Sequence, residues 1–218
     1  MNRSHNFSAG PAVLPLSVID ELREALPIFG ETRQGLMELS HRSTAFDGVI
    51  DSARSRLRNL MQIPDDYEVL LLQGGASLQF YMSALNLTQR SDAVDYIDTG
   101  TWSSKAVKEA RRVCRAETRW SGKDCGYTRV PAADEEPNLR SESVFTHYTS
   151  NNTIYGTQWH HLPNTNSRLV ADLSSDICSR PIDVARHDLI YAGAQKNLGP
   201  SGVTAVILSP WAVERSRT

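Results

Sequence analysis

The chain has 218 residues, 40% of them hydrophobic, and its 23 basic and 25 acidic side chains leave a net charge of −2. That apolar content is enough for a core, which excludes a disordered or fibrous chain, and the near-balanced charge gives neither nucleic acid nor an anionic membrane a footing. The apolar runs are strand-sized and the opening MNRSHNFSAGP has no signal-like stretch, so a soluble cytoplasmic protein is expected, with reduced thiols at Cys114, Cys125 and Cys178.

An irregular arm over about residues 1–16 leads into a first helix. Its start is read at Ser17 with Asp20 three residues on, and Val18, Leu22 and Leu26 fall at helical spacing. Ala45 to Met61 predicts a second helix, whose stripe Phe46, Val49, Ile50, Ala53, Leu57 and Leu60 is expected to pack in the core. From Glu68 the rhythm changes. EVLLL runs into paired glycines and a helical pattern through Leu87; AVDYID ends in TG, and a helix from about Trp102 to Val113 follows. SVFTHYTSNN, SRLVADLSS, DLIYAGAQ and GVTAVILSP repeat the strand theme. Continuous apolar runs of this length, alternating with helices, predict an α/β fold around a mainly parallel sheet buried on both faces. Ligands of such sheets bind at the carboxyl ends of the strands, where the small polar residues ending these runs would gather. Residues 121–142 are polar and aperiodic and read as a solvated loop with room for a short strand. PWAVERSRT reads as the first turn of a helix cut short, either at the end of a domain or inside a longer protein.

Lys196 lies in YAGAQKNLGPSG, a Gly-rich turn between two apolar runs. A lysine desolvated at a strand end has a lowered pKa and a nucleophilic amine, as Schiff-base chemistry with a carbonyl cofactor requires, although a lone lysine is more often a surface residue. Asp172 ends another strand. Its carboxylate and the amine of Lys196 are the two partners that pyridoxal phosphate needs, one for the pyridine nitrogen and one for the aldehyde. QGGAS, with Gly74, Gly75, Ala76 and Ser77 opening a helix, offers backbone N–H groups to a phosphate, as well as a plain turn. Trp102 could stack on an aromatic cofactor or pack as an ordinary tryptophan, and the hydroxyl of Thr153 could reach a ring oxygen or close a turn. His41 and Arg42 suit a phosphate or carboxylate but also a solvated surface pair. Arg180 is read as structural, bracing the Asp172 loop. His160 and His161 lack the spacing of a metal site.

In order along the chain, NFSAGPAVLP, SHRS, QGGASLQF, DTGTWSSKA, NNTIYGTQW, ADLSSDICSRPID and YAGAQKNLGPSGVTAVIL resemble the phosphoserine aminotransferases, class V enzymes of fold type I. The resemblance implies a three-layer large domain over residues 1–218, with the smaller C-terminal domain absent and pyridoxal phosphate as cofactor, without metal. It also implies transfer of an amino group between L-glutamate and 3-phosphohydroxypyruvate in serine biosynthesis, by a protein that is a homodimer at full length. By resemblance, Lys196 binds the cofactor and Asp172 faces its pyridine nitrogen. Trp102 stacks on the ring, Ala76, Ser77 and Gln195 hold the phosphate, and Thr153 contacts the ring-hydroxyl side. His41 and Arg42 receive the substrate's phosphate or the glutamate side chain. Two positions depart from the family: Ser77 stands where some members have arginine, and Ala9 where some have a second serine. The alternatives are another enzyme of this fold, such as a cysteine desulfurase or an alanine–glyoxylate aminotransferase, and an inactive or weakly cofactor-binding fragment.

Overall fold

The computed structural model describes residues 3–216 apart from Glu136 and Asn138. Met1, Asn2, Arg217 and Thr218, expected at the two ends of the domain, lie outside the described residues, as do those two positions of loop 121–142.

Past an arm with little regular structure comes α1 (Leu16–Ala25), which begins directly after Pro15 with no side-chain cap, so the start expected at Ser17 is corrected. Pro15 presets the entry to the helix where a missing N–H costs nothing. Next comes α2 (Thr44–Met61), capped by Ser43, whose hydroxyl accepts from the Phe46 N–H. Of its six-residue stripe only Leu57 is buried, and Leu60 is 66% exposed. The expectation that this whole stripe packs in the core is therefore corrected. The helix reaches the core through its last turns, at Leu57 and Met61, while Phe46, Val49 and Ile50 are only half-buried and Ala53 and Leu60 stand exposed.

The remaining elements alternate: β1 (Glu68–Leu72), α3 (Gly75–Leu87), β2 (Ala93–Asp98), α4 (Thr101–Ala110), β3 (Arg115–Ser121) and β4 (Phe145–Thr149). A two-stranded ribbon follows, β5 (Asn151–Asn152) with β6 (Thr157–Gln158), and then β7 (Arg168–Asp172), β8 (Leu189–Gly193), β9 (Thr204–Leu208) and α5 (Pro210–Arg215). The large sheet runs β3-β2-β4-β7-β8-β9-β1. Its first five strands are parallel, while β9 runs against both β8 and β1. The reason is length. Residues 194–203 alone join β8 to β9, and a parallel return needs a crossover of about a dozen residues or more.

Strand β3, RAETRWS, has no apolar run to announce it; as a sheet edge it is only partly buried and tolerates polar side chains. The polar loop after it forms a short 3-10 turn at Lys123–Cys125 and no strand among its described residues. Its far end is not simply solvated. Arg140 pairs with the fully buried Asp95 at 2.6 Å and with Glu117 at 3.0 Å. A buried carboxylate is tolerable only with such a partner.

Side chains alternate across the sheet into two cores. Leu57, Met61, Trp159, Leu169, Ala171 and Ile190 fill one face. Phe80, Leu87, Tyr96, Val170, Tyr191 and Val206 fill the other, beneath α3, α4 and α5. Asp172 shares the parity of Val170 and so stands at the carboxyl end of β7 on the side of α3 and α4.

Candidate active site

Asp172 is 3% exposed. Burial raises its carboxyl above the usual 3.8; the hydroxyl and N–H of Ser174 and the charge of Lys196 pull back the other way. The Ser174 Oγ–H donates to Asp172 Oδ1 at 2.6 Å, and the Ser174 N–H reaches the same oxygen at 3.0 Å. Ser174 Oγ in turn accepts from the Gly193 N–H of β8, tying the loop after β7 to the next strand.

The link after β8 turns back on itself through bonds to Ala194 O from the N–H groups of Leu198 and Gly199. Lys196 projects from that turn. Its Nζ donates to Thr153 Oγ1 at 2.5 Å and to Ser175 Oγ at 3.2 Å, and it lies 4.9 Å from the ring centroid of Trp102. Burial lowers the pKa of the amine, and Asp172 opposes part of that shift. Thr153 and Ser175 hold each other at 2.6 Å, so the amine rests in a pair of coupled hydroxyls.

The amino ends of α3 and α4 close the site. Before α3, Gly74 and Gly75 have φ of +98° and +67°, and a Cβ on Gly74 would meet Leu78 at 2.4 Å. Glycine is required there by backbone and by space. The turn leaves the first N–H groups of α3, around Ala76 and Ser77, unbonded within the helix, a setting suited to an anion. At α4, Asn152 accepts from the Trp102 N–H at 3.1 Å and donates to Thr99 Oγ1 at 2.8 Å, which fixes where the indole begins. A Cβ on Gly100 would come within 2.7 Å of Asn152, so the approach needs glycine.

These parts enclose a cavity of about 130 Å³ lined by Gly75, Ala76, Ser77, Trp102, Asp172, Gln195 and Lys196 among others. Six of the nine candidate residues thus share one cavity, and Thr153 touches it through the lysine. His41 and Arg42 do not line it; both are exposed in the turn before α2. Ser174, Ser175, Asn152 and Phe80 also belong to the site, unforeseen from sequence. The two serines come two and three residues after Asp172, but their position in the sequence does not show that their hydroxyls turn into the site. Arg180 pairs with Asp176 at 3.3 Å and donates to Trp159 O, bracing the loop after Asp172. Among the described residues, no three His, Cys, Asp or Glu side chains gather as a metal site.

A sheet of this order with helices on both faces, and a lysine and an acid at its carboxyl edge, defines the large domain of a fold-type I aminotransferase. The chain belongs to the class-V aminotransferase family, whose profile matches residues 4–217. It is 49% identical over 215 residues to a phosphoserine aminotransferase of Geobacillus kaustophilus, covering 99% of this chain and 59% of that protein. Among solved structures, a phosphoserine aminotransferase from Bacillus circulans subsp. alkalophilus superposes with a TM-score of 0.94 at 41% identity, over 99% of this chain and 60% of that one. A pyridoxal-phosphate-bound phosphoserine aminotransferase from Trichomonas vaginalis gives 0.92 at 34% identity, over 99% and 64%. The chain thus spans about three fifths of the relatives it matches.

Proposed function

We propose that this chain is the cofactor-binding part of an aminotransferase that moves an amino group between L-glutamate and 3-phosphohydroxypyruvate, giving O-phospho-L-serine and 2-oxoglutarate. The observation that carries the reading is the amine of Lys196 and the carboxylate of Asp172 in one cavity, beside a helix start open to phosphate. This donor set fits pyridoxal phosphate. Ser174 bonds only Oδ1 of Asp172, which leaves Oδ2 for a protonated ring nitrogen. The N–H groups around Ala76 and Ser77, with the Gln195 side chain, suit the phosphate; Trp102 offers a ring face and Thr153 a hydroxyl for the ring oxygen. When bound, the cofactor supplies an aldehyde that accepts amino groups and a ring that draws electrons from the bonds at the substrate's α-carbon.

The rest falls to the protein. Burial keeps the amine of Lys196 neutral at a lower pH than an exposed lysine, so its Nζ can take and return a proton. Thr153 and Ser175 hold Nζ in one place for that transfer. Asp172, buried in the cavity wall, would stabilise positive charge on the ring nitrogen. His41 and Arg42, exposed at the turn before α2, suit the substrate's phosphate or the glutamate side chain as it extends out of the cavity. The exposed apolar residues of the arm and α1, with Phe7 at 93% exposure, suit pairing with a second copy in the full-length protein. Three unpaired cysteines suit the cytoplasm, and no helix among the described residues is long and apolar enough to cross a membrane.

The test is Lys196→Ala in the full-length protein. The variant is expected to lose covalent capture of pyridoxal phosphate and all amino transfer to 3-phosphohydroxypyruvate. Capture at the unsubstituted level in that variant would sink the reading.

A further inference from the structure

The arm before α1 is exposed from Arg3 through Pro11, yet it meets the fold at one informative place. The Ala12 N–H donates to Gln195 O at 2.8 Å, tying the arm to the residue before the site lysine. Two residues earlier, a Cβ on Gly10 would lie 2.9 Å from Lys196 Cγ, 3.6 Å from Gln195 Cγ and 3.7 Å from Lys196 Cε. Gly10 has no left-handed φ, so no positive-φ strain calls for glycine there. What calls for glycine is the lysine stem passing beneath it.

We propose that Gly10 and the backbone N–H of Ala12 are positioning groups for Lys196. The arm lies along the lysine's methylenes and clamps them, so that Nζ stays on Thr153 and Ser175 over the face of Trp102. The inference rests on the proposed function in taking Lys196 as the residue that captures the cofactor. Its physical content is leverage. A methyl at position 10 forces a shift at the lysine stem or in the arm, because 2.9 Å is closer than a Cβ contact can be, and we take the stem to give way. The backbone at 195 is held by Ala12, so the displacement passes outward along the side chain to Nζ, three bonds further on. The 2.5 Å bond from Nζ to Thr153 is expected to lengthen as the stem rotates. The amine then leaves its half-buried seat for solvent.

The test measures capture of pyridoxal phosphate by the full-length protein, trapped with borohydride at a series of pH values and assigned to a lysine by peptide mass mapping. Thermal melts of the same samples without cofactor report folding. In Gly10→Ala, capture at Lys196 is expected to slow by up to roughly a hundredfold, the scale of a misplaced reacting group. Its pH midpoint should move up toward that of an exposed lysine, with the melt unchanged. A merely structural role for Gly10 would shift the melt and leave the pH midpoint in place. Capture at the unsubstituted rate and midpoint overturns the clamp. Should Gly10→Ala melt lower, Ala12→Pro, which removes the N–H donor and fixes φ at residue 12, decides by the same two readouts. Capture on a lysine other than Lys196 in the unsubstituted protein overturns the functional reading itself.

Discussion

Ser174 uses both its polar groups on the site, giving its hydroxyl proton and its N–H to Asp172 while accepting from Gly193. Ser174→Ala would remove one donor from a carboxylate whose pKa burial already raises, and strand the Gly193 N–H. The expected cost is about 1–2 kcal/mol in urea unfolding, the usual scale for an orphaned buried donor. The sign of its pH dependence follows. The folded Asp172 carboxyl holds its proton more tightly than the unfolded one, so stability from this group is lost as pH rises from 3.8 through the raised value. Ser174→Ala should widen that window, readable as a shifted Asp172 titration in NMR; an unmoved titration would deny Ser174 its electrostatic role. Asp172 and Lys196 were legible in the sequence because each stands at the end of an apolar run. Ser174 and Ser175 were not, since a run of small polar residues does not say which hydroxyl turns inward.

At the scale of elements, the site is two helix starts facing a strand edge. Asn152, fifty residues beyond Trp102, accepts from the Trp102 N–H, beside α4's own Ser103, which accepts from the Gly100 N–H. Asn152→Ala should cost about 1 kcal/mol, as a lost helix cap does, and should weaken binding of pyridoxal phosphate by letting Trp102 drift. A thermal melt and a cofactor titration check both, and unchanged affinity would show that Trp102 is held by other means. Helices α2, α3 and α4 and the strands inside the sheet could be read from apolar pattern and glycine pairs. Strand β3 could not, because an edge carries polar residues; nor could the direction of β9, which depends on the short link before it. The arm's contact with Lys196 was equally hidden, since nothing near Gly10 in sequence points to position 196.

Across the whole molecule, two cores on either side of one sheet make acid the expected weakness. His147 is fully buried, 2.8 Å from the Tyr191 hydroxyl, and burial holds its pKa down to about 3. The unfolded chain therefore binds a proton that the folded one refuses between the usual 6.5 and about 3, and stability falls as pH falls through that interval. The full effect is on the order of 4–5 kcal/mol, and the buried His187 adds to it in the same direction. The urea midpoint should drop between pH 7 and pH 4.5 and drop less in His147→Gln; equal drops would place the acid sensitivity elsewhere. The layered architecture was legible, but the fate of each apolar stripe was not. Amphipathic spacing announces a greasy side without naming its cover, and α1 has no buried residue at all.

The reversal of β9 has a mechanical result. Because the chain doubles back within ten residues, the peptide bearing Lys196 is moored to the sheet at each end, with the Ala194 N–H bonded to Val203 O across the link. The bonds of Leu198 and Gly199 to Ala194 O hold the turn that carries the nitrogen. With the peptide held at both ends, the position of Nζ is set by torsion about the side chain's own carbon–carbon bonds.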